Sequence, residues 1–345
     1  MTGTSSRRGL NISLLVASGF LSLIFGEAVL RLLGRGPLQV NSVPGSFWRH
    51  DANLGWSNSP GAEGVFDHPR FRINVKINSK GLRDREYAYE RTPGTRRILV
   101  IGDSFVWGYG VEQQETFPKV LEAGLPGVEV INAGVAGYGT DQELLWLRSE
   151  GLRYRPDLVI LVMCGNDDDE NNKDLVYNVY HKPRFTLAGG ELALTGVPVP
   201  MPSRRLRLKH WIFTHSALAY QLKSGVIDRF RRPRSSALSG GFELTFALVD
   251  AIAREVRDSG ARLVLVTIAR YAPSPQFPYD ELVAGLRRRG LMILDVDHSP
   301  GYSEATMLIA GDAHWNPAGH RFVAQQLLKM LREQELLDEQ PASSP

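Results

Sequence analysis

The sequence predicts an α/β fold with a mostly parallel five-stranded sheet, preceded by an N-terminal transmembrane helix. Short β-rich apolar runs recur from residue 97 onward, and stretches with helical patterns separate them. This alternation is typical of a parallel sheet that helices cover on both faces. The transmembrane helix is predicted from a long uncharged run at the N-terminus.

The uncharged run comprises residues 9–26 and is rich in Leu, Ile, Val and Phe. Its 18 residues would span about 27 Å as a helix, close to the thickness of the hydrocarbon core. Arg7 and Arg8 precede it, so the positive-inside rule places the N-terminus in the cytoplasm and exports the rest. A cleaved signal peptide is the alternative, but the small residues at 17–19 come too early for a good cleavage site. We therefore expect residues 1–35 to be a cytoplasmic stub and a single-pass anchor.

The overall composition excludes some partners. The 345 residues carry a net charge of +3, which is too small to indicate nucleic-acid binding. Cys164 is the one cysteine, so no intrachain disulfide can form. It ends an apolar run, and we expect it to be a buried small hydrophobe rather than a reactive thiol.

Residues 36–95 are predicted to form a linker and a small β-containing lobe. Residues 34–60 are rich in Gly, Pro, Ser and Asn, as linkers are. Residues 71–78 then alternate strictly between apolar and polar, which predicts a half-buried strand. Its apolar face would carry Phe71, Ile73, Val75 and Ile77.

The main predicted domain, residues 96–338, begins where the strand and helix patterns alternate. The expected strands are 98–101, 128–131, 158–163, 263–268 and 291–294. The expected helices are 117–124, 141–152, 242–258, 279–289 and 318–337. Residues 339–345 are expected to be a disordered tail.

Between residues 168 and 240 the alternation stops, which indicates an insertion. Its second half is basic, with Arg204, Arg205, Arg207, Lys209, Arg229, Arg231, Arg232 and Arg234. Such a run is usually a solvated face, and contact with anionic lipid headgroups or an acidic glycan is the alternative. Asp168, Asp169 and Glu170 are also expected to be solvated, because consecutive acids rarely converge on one metal ion.

Three consecutive predicted strands end in polar or glycine-containing turns. The first ends in Gly102-Asp103-Ser104-Phe105, the second in Asn132-Ala133-Gly134 and the third in Gly165-Asn166-Asp167. Because open α/β sheets place their sites at the carboxyl ends of the strands, Ser104, Gly134 and Asn166 should converge. A glycine N–H and an asparagine amide can both donate hydrogen bonds to an oxyanion.

A serine hydroxyl needs a base that removes its proton, and His314 is the candidate. It lies in Asp312-Ala313-His314-Trp315-Asn316-Pro317, where Asp312 could orient it and Asn316 could cap the following helix. Asp295 and His298 form a competing pair after the last predicted strand. His320, on the following helix, is expected to be structural.

These blocks together resemble the SGNH (GDSL-like) hydrolases. The order Gly-Asp-Ser-Phe, Asn-x-Gly, Gly-Asn-Asp and Asp-x-His matches the four blocks of that family over 97–167 and 311–325. The segment Asn78–Asp84 resembles one in a bacterial membrane-anchored branch. The resemblance implies a three-layer flavodoxin-like fold. It also implies a triad of Ser104, Asp312 and His314, and oxyanion donors at Ser104, Gly134 and Asn166, without a metal or cofactor.

Three functions are consistent with these residues. The first is hydrolysis of acyl esters, including acetyl esters, of a cell-envelope glycan or lipid, at a bacterial cell membrane on the extracytoplasmic side. The second is acyl transfer to a polysaccharide, because one residue separates Asp312 from His314 as in SGNH-like O-acetyltransferases, whereas many hydrolases have two. The third is a non-catalytic glycan-binding protein, which the complete set of site residues disfavours.

Overall fold

A computed structural model describes residues 3–35, 47–177, 179–223, 241–272 and 277–337. These residues divide into two compact units. One contains residues 3–35 and 202–223, and the other contains 47–201 and 241–337 within the described ranges. The predicted tail, 339–345, and the basic residues at 229–234 lie outside the described residues.

The larger unit is built on a five-stranded sheet in which every pairing is parallel. Its strands are β5 (Arg96–Ile101), β6 (Val128–Asn132), β7 (Leu158–Cys164), β12 (Arg262–Ile268) and β13 (Met292–Asp295), in the order β13-β12-β7-β5-β6. All five strands were predicted from their apolar runs. Every residue of β7 is buried, as expected for the central strand.

Helices cover both faces of this sheet. The helices of the larger unit are α2 (Ser104–Trp107), α3 (Phe117–Ala123), α4 (Thr140–Ser149), α5 (Asp167–Asn171), α8 (Glu243–Asp258), α9 (Tyr279–Arg288), α10 (Glu304–Met307) and α11 (Pro317–Glu333). Helices α3 and α11 pack together against one face, and α4 packs with α8. The predicted three-layer α/β architecture is therefore confirmed.

Strand alternation explains how the core divides between the layers. Ile98 and Val100 face the α3–α11 side, where they meet Phe322, Val323 and Leu327 of the final helix. Because side chains two apart on a strand share a face, Leu99 points to the opposite side, and it closely approaches Gly151. Cys164 is buried within the core, as predicted, and burial raises the pKa of its thiol well above the usual range.

The residues before the sheet form two antiparallel hairpins. Strands β1 (Trp48–Asp51) and β2 (Gly55–Asn58) form one, and β3 (Glu63–His68) and β4 (Phe71–Lys76) form the other. The predicted apolar face is confirmed, because Ile73, Val75 and Ile77 are all buried. Phe71, in the same series, is half-buried.

The first part of the insertion forms two further hairpins. Strands β8 (Leu175–Val176) and β9 (Tyr180–His181) form one, and β10 (Arg184–Ala188) and β11 (Glu191–Thr195) form the other. The expectation that Asp168 is solvated is wrong. This side chain is buried and accepts a hydrogen bond from Thr245 Oγ1 at 2.7 Å. Asp169 and Glu170 instead pair with Lys173.

Within its described residues, the smaller unit contains helices α1 (Gly3–Leu32), α6 (Arg204–His215) and α7 (Ala217–Leu222). Within α1, residues Asn11–Leu32 are long and apolar enough to cross a membrane, by length and composition. This agrees with the predicted transmembrane helix.

Candidate active site

The serine sits on a tight turn between β5 and α2. A Cβ added at Gly102 would lie 2.4 Å from Val106 Cγ2 and 3.0 Å from Val162 Cβ, so the turn has room only for glycine. Asp103 caps α2 by accepting the Phe105 N–H at 2.9 Å. Ser104 is the first residue of α2, so its own N–H has no acceptor within the helix.

His314 and Asp312 form a continuous hydrogen-bonded chain with the serine. Ser104 Oγ lies 2.8 Å from His314 Nε2, and His314 Nδ1 lies 2.6 Å from Asp312 Oδ1. The same carboxylate oxygen accepts the backbone N–H of His314 at 3.0 Å. The structure therefore brings together the three residues that the sequence proposed as a triad.

The segment that carries His314 is fixed at both ends. Ile309 N–H donates to the His314 carbonyl at 2.9 Å, and Leu308 forms an isolated antiparallel bridge with Trp315. Asn316 then caps the final helix by accepting the N–H groups of Ala318 and Gly319, as predicted. The imidazole thus stands on a short extended segment between a bridge and a helix cap.

Gly134 packs directly against the serine turn. A Cβ at this position would lie 2.2 Å from Trp107 N, so any other residue would push α2 away. The Gly134 N–H donates to Asn132 Oδ1 at 3.0 Å in this structure. To donate a hydrogen bond to an oxyanion, this N–H would have to be shared with Asn132 or redirected.

Asn166 follows β7 and precedes α5. Its side-chain Oδ1 is buried and has no hydrogen-bond partner among the described residues. The oxygen and nitrogen of an amide are assigned by their partners, so the group can present a donor or an acceptor on either side. An amide with such free capacity suits a site that receives an external ligand.

Two residues that the sequence did not single out also contact Asp312. Arg70, in the turn between β3 and β4, places Nη1 3.2 Å from Asp312 Oδ2. The Tyr271 hydroxyl lies 2.9 Å from His314 Nδ1 and 3.3 Å from Asp312 Oδ1. Gly311, directly before Asp312, has a φ of +71°, a backbone conformation that favours glycine.

These contacts set the charge state of the carboxylate. Burial raises the pKa of Asp312, but hydrogen bonds and charge from His314, followed by the charge of Arg70, outweigh it and hold the pKa well below its usual range. Burial and the charge of Asp312 raise the pKa of Tyr271. The Tyr271 hydroxyl therefore stays protonated and can donate a hydrogen bond to the carboxylate.

Aromatic rings surround the imidazole. The ring centroids of Tyr109, Phe105 and Tyr271 lie 4.4, 5.0 and 5.2 Å from that of His314. Burial raises the pKa of Tyr109 as well. These contacts fix the ring plane and limit the access of water to it.

A buried arginine, Arg83, stabilises the end of α2, the short helix that begins at Ser104. Arg83 is fully buried and donates to the carbonyl oxygens of Trp107, Gly108 and Val111 at 2.9, 2.6 and 2.8 Å. Its guanidinium also lies 4.4 Å from the Trp107 ring centroid. Burial lowers the pKa of Arg83 to about 10, so it remains charged at neutral pH.

Buried carboxyl groups lie in the same region as the serine. Asp103, Glu143 and Asp167 are all buried, and burial followed by mutual repulsion raises the pKa of Glu143 and Asp167 well above the usual range. Burial also raises the pKa of Asp103. Burial therefore disfavours the charged form of all three carboxyl groups.

The competing pair lies elsewhere. His298 Nδ1 contacts Asp295 Oδ2 at 3.0 Å, but the histidine side chain is 60% exposed. His320 is buried, and its Nδ1 accepts the Phe117 N–H at 3.1 Å, which confirms the structural role expected of it. Among the described residues, no group of three or more His, Cys, Asp or Glu side chains could hold a metal ion.

Residues 100–322 match the model of the GDSL-like lipase/acylhydrolase family, and this match spans more than half of the chain. The chain belongs to this family. Its members are esterase-type hydrolases that act on ester bonds, and the resemblance predicted from the four sequence blocks is thereby confirmed.

The chain is also similar to several solved structures, at low sequence identity. A lipolytic protein from Desulfitobacterium hafniense is 14% identical with a TM-score of 0.40, covering 69% of this chain and 100% of its own. The lipase/acylhydrolase from Enterococcus faecalis is 17% identical with a TM-score of 0.39, and the match covers 70% of this chain and 97% of that protein. The esterase EstA from Pseudoalteromonas sp. is 12% identical with a TM-score of 0.40, and the match covers 70% of this chain and 98% of that protein. Among curated proteins, none matches the chain.

Proposed function

We propose that this protein is a serine esterase that hydrolyses acyl esters, acetyl esters included, of a cell-envelope glycan or lipid. The observation that carries the proposal is the hydrogen-bonded chain from Ser104 through His314 to Asp312, with heavy-atom distances of 2.8 and 2.6 Å. The first distance suits proton transfer from the serine to the imidazole, and the second suits a hydrogen bond by which the carboxylate orients the imidazole. The proposed triad is Ser104, His314 and Asp312.

In the proposed mechanism, Ser104 Oγ attacks the ester carbonyl while His314 Nε2 takes its proton. Asp312 holds the imidazole tautomer and stabilises the imidazolium that forms. The imidazolium then protonates the departing alcohol, and an acyl group remains on Ser104. Water, deprotonated by His314, attacks the acyl-serine. The imidazolium then returns the proton to Ser104 Oγ as the bond to the acyl group breaks, which releases the acid.

The proposed oxyanion donors are the N–H groups of Ser104 and Gly134 and the side-chain amide of Asn166. Ser104 N–H is free of helical bonding by its position, and the Asn166 amide has unused hydrogen-bonding capacity. Gly134 would contribute by sharing its N–H between Asn132 and the oxyanion. Such preorganised donors are worth about 3–4 kcal/mol each in related mechanisms.

Acyl transfer to a polysaccharide hydroxyl is the second candidate. The single residue between Asp312 and His314 is the observation that favours it. The chemistry differs only in the second half-reaction, where a sugar hydroxyl replaces water.

One experiment separates the two reactions. The purified protein is incubated with p-nitrophenyl esters of increasing chain length, with and without an oligosaccharide acceptor, and the products are resolved by mass spectrometry. An esterase releases free acid whether or not the acceptor is present. An acylated oligosaccharide that forms at the expense of free acid would identify a transferase instead.

We further propose that the protein is anchored in a bacterial cell membrane by α1, with the catalytic domain on the extracytoplasmic side. The support is the apolar length of Asn11–Leu32, together with Arg7 and Arg8 before it. Alkaline phosphatase fused after residue 345 should be active. An active cytoplasmic reporter at the same position would contradict this topology.

A further inference from the structure

Helices α6 and α7 form an elbow against the C-terminal part of α1. Glu27 of α1 accepts the N–H groups of Ala217 and Leu218 at 2.8 and 3.0 Å, and the Ser216 hydroxyl at 2.9 Å. The carboxylate therefore caps the start of α7. It also pairs with Arg31 on its own helix at 2.8 Å.

Further contacts hold the elbow at this level. Arg31 donates to the carbonyl oxygen of His215, the last residue of α6. Gln221 Nε2 donates to the Arg35 carbonyl oxygen at 2.6 Å. Glu27 is the first charged residue after the uncharged run, so these contacts lie where the apolar part of α1 ends. If α1 spans a bilayer, the elbow lies at its interface with water.

One face of α6 remains exposed. Leu208, Trp211 and Ile212 are 60%, 56% and 39% exposed, and they follow the i, i+3, i+4 spacing of a single helical face. Leu222 on α7 is 56% exposed. Large apolar side chains that cluster in this way mark an interaction surface, and Trp is a residue favoured where a membrane meets water.

The same helix is strongly basic at its N-terminal end. Arg204, Arg205, Arg207 and Lys209 are all exposed. No acidic residue occurs between Glu191 and Asp228, so the local sequence offers nothing to neutralise them. Within the described parts of the chain, none of the four lies within 4.0 Å of a carboxylate.

We propose that the exposed face of α6 docks on the anionic phospholipid headgroups of the bilayer that α1 spans. The basic residues would contact phosphates, while Leu208, Trp211 and Ile212 would enter the boundary with the acyl chains. The apolar residues favour a lipid surface over an acidic glycan, since a soluble polyanion would leave them in water. The attachment to α1 fixes the elbow where such a surface lies.

The test uses the full chain in nanodiscs of phosphatidylcholine, with or without phosphatidylglycerol. An environment-sensitive nitrobenzoxadiazole dye is attached at Leu208→Cys, and headgroup-nitroxide lipids report its depth. Cys164 is buried, so the unsubstituted chain serves as the labelling blank. The same dye at Val16→Cys, in the middle of α1, checks that the anchor is inserted.

The proposal predicts a blue-shifted dye at 208 that headgroup nitroxides quench, with quenching on the order of twofold stronger when phosphatidylglycerol is present. Replacing Arg204, Arg205, Arg207 and Lys209 with Gln should abolish that lipid dependence. The control variant, with Arg72, Arg257, Arg288 and Lys329 replaced by Gln, removes the same charge from other exposed sites and should keep the dependence.

Two outcomes would overturn the proposal. One is a dye at 208 that stays in water in both lipids while the dye at 16 is deeply buried. The other is a dye at 208 that responds to the soluble polyanion heparin in neutral nanodiscs but not to phosphatidylglycerol, which would indicate a glycan site. A dye at 16 that is not buried would show that the anchor itself is absent, which also contradicts docking of this kind. None of these readouts depends on esterase activity.

Discussion

Asp312 makes its contacts through both carboxylate oxygens. Oδ1 faces His314 and the Tyr271 hydroxyl, and Oδ2 faces Arg70. A carboxylate with several donors keeps its charge and position during a reaction in which the neighbouring imidazole becomes charged. At the scale of single residues, the proposed mechanism depends on this arrangement.

Replacing His314 and replacing His298 should have very different effects on kcat. His314→Ala removes the proposed base and leaves the oxyanion donors in place, so kcat should fall on the order of a thousandfold or more. His298→Ala should change kcat little, because that side chain is exposed and contacts Asp295. Steady-state kinetics with a p-nitrophenyl ester would measure both. A folded His314→Ala variant that keeps most of its activity would rule out the assignment.

Arg70 should tune the pH dependence of the reaction. Removing its positive charge favours protonation of the Asp312–His314 pair, so the acid limb of the kcat/KM profile should move to higher pH. The arginine side chain is about one-third exposed, so solvent screening should keep the shift of Arg70→Gln to about half a pH unit.

The control for Arg70 lies in the same hairpin. Arg72 pairs with Asp67 at 2.8 Å in an exposed position, and Arg72→Gln removes the same charge away from the catalytic pair. It should leave the profile unmoved. Equal profiles for the two variants would show that Arg70 has no role in setting the protonation of the pair.

At the scale of elements, the segment that follows the N-terminal hairpins supports the turn that carries Ser104. Arg83 follows them in the chain and crosses to α2, where it binds three carbonyl oxygens. Gly134 presses on α2 from the neighbouring strand. The position of Ser104 therefore depends on residues well outside the sheet.

Replacing Arg83 should loosen this turn. Arg83→Met removes a charged donor from three buried carbonyl oxygens, of which Gly108 O keeps the Val111 N–H. We therefore expect a loss of about 3 kcal/mol or more in the free energy of unfolding. In protein that remains folded, kcat should fall more than KM rises, because the nucleophile is displaced while the substrate surface is kept.

Two further variants make the Arg83 prediction specific. Arg83→Lys keeps the charge but offers fewer fixed donors, so it should recover part of both stability and kcat. Arg85→Met removes a half-exposed arginine that pairs with Glu122 at 3.3 Å, and should have a small effect. Urea denaturation and kinetics would report both. If Arg83→Met matched Arg85→Met, the supporting role would be wrong.

The sheet and most helices could be predicted because their signals are local. Each strand is a short apolar run, and α11 follows a stripe with a helical period. The contacts made by Arg70 and Tyr271 could not be predicted, because Arg70 is 242 residues from Asp312 in sequence. Asp168 was misjudged for the same reason, since its partner Thr245 is 77 residues away. From sequence alone, a charged residue is predicted to be exposed to solvent, because a partner that is distant in the chain cannot be recognised.

At the scale of the whole molecule, His320 links stability to pH. Burial, followed by the charges of Arg83 and His314, lowers the pKa of His320 to about 3, and its Nδ1 accepts the Phe117 N–H. In the unfolded chain a histidine has a pKa of about 6.5. The unfolded state therefore binds more protons between these two values, and stability falls as pH decreases through that window.

The predicted loss from His320 is about 2 kcal/mol between pH 7.5 and 5, from a slope of about 1.4 kcal/mol per proton and pH unit. Asparagine can accept the same N–H, so His320→Asn should remove this part of the pH dependence. Urea unfolding of both proteins across the range would measure it. His298→Asn should not remove this loss of stability at low pH. The hydrogen bond with Asp295 raises the pKa of His298, so His298 contributes a pH dependence of stability with the opposite sign. Parallel curves for wild type and His320→Asn would contradict the prediction.

Ser104, as the proposed nucleophile of an ester hydrolase, should react covalently with a fluorophosphonate. The most direct measurement is the mass of the intact protein and its peptides after treatment with a fluorophosphonate. We predict one adduct, on the peptide that contains Ser104, and no adduct in Ser104→Ala or after the wild-type enzyme is saturated with an ester substrate. An adduct on another residue, or labelling of Ser104→Ala at the wild-type rate, would contradict it.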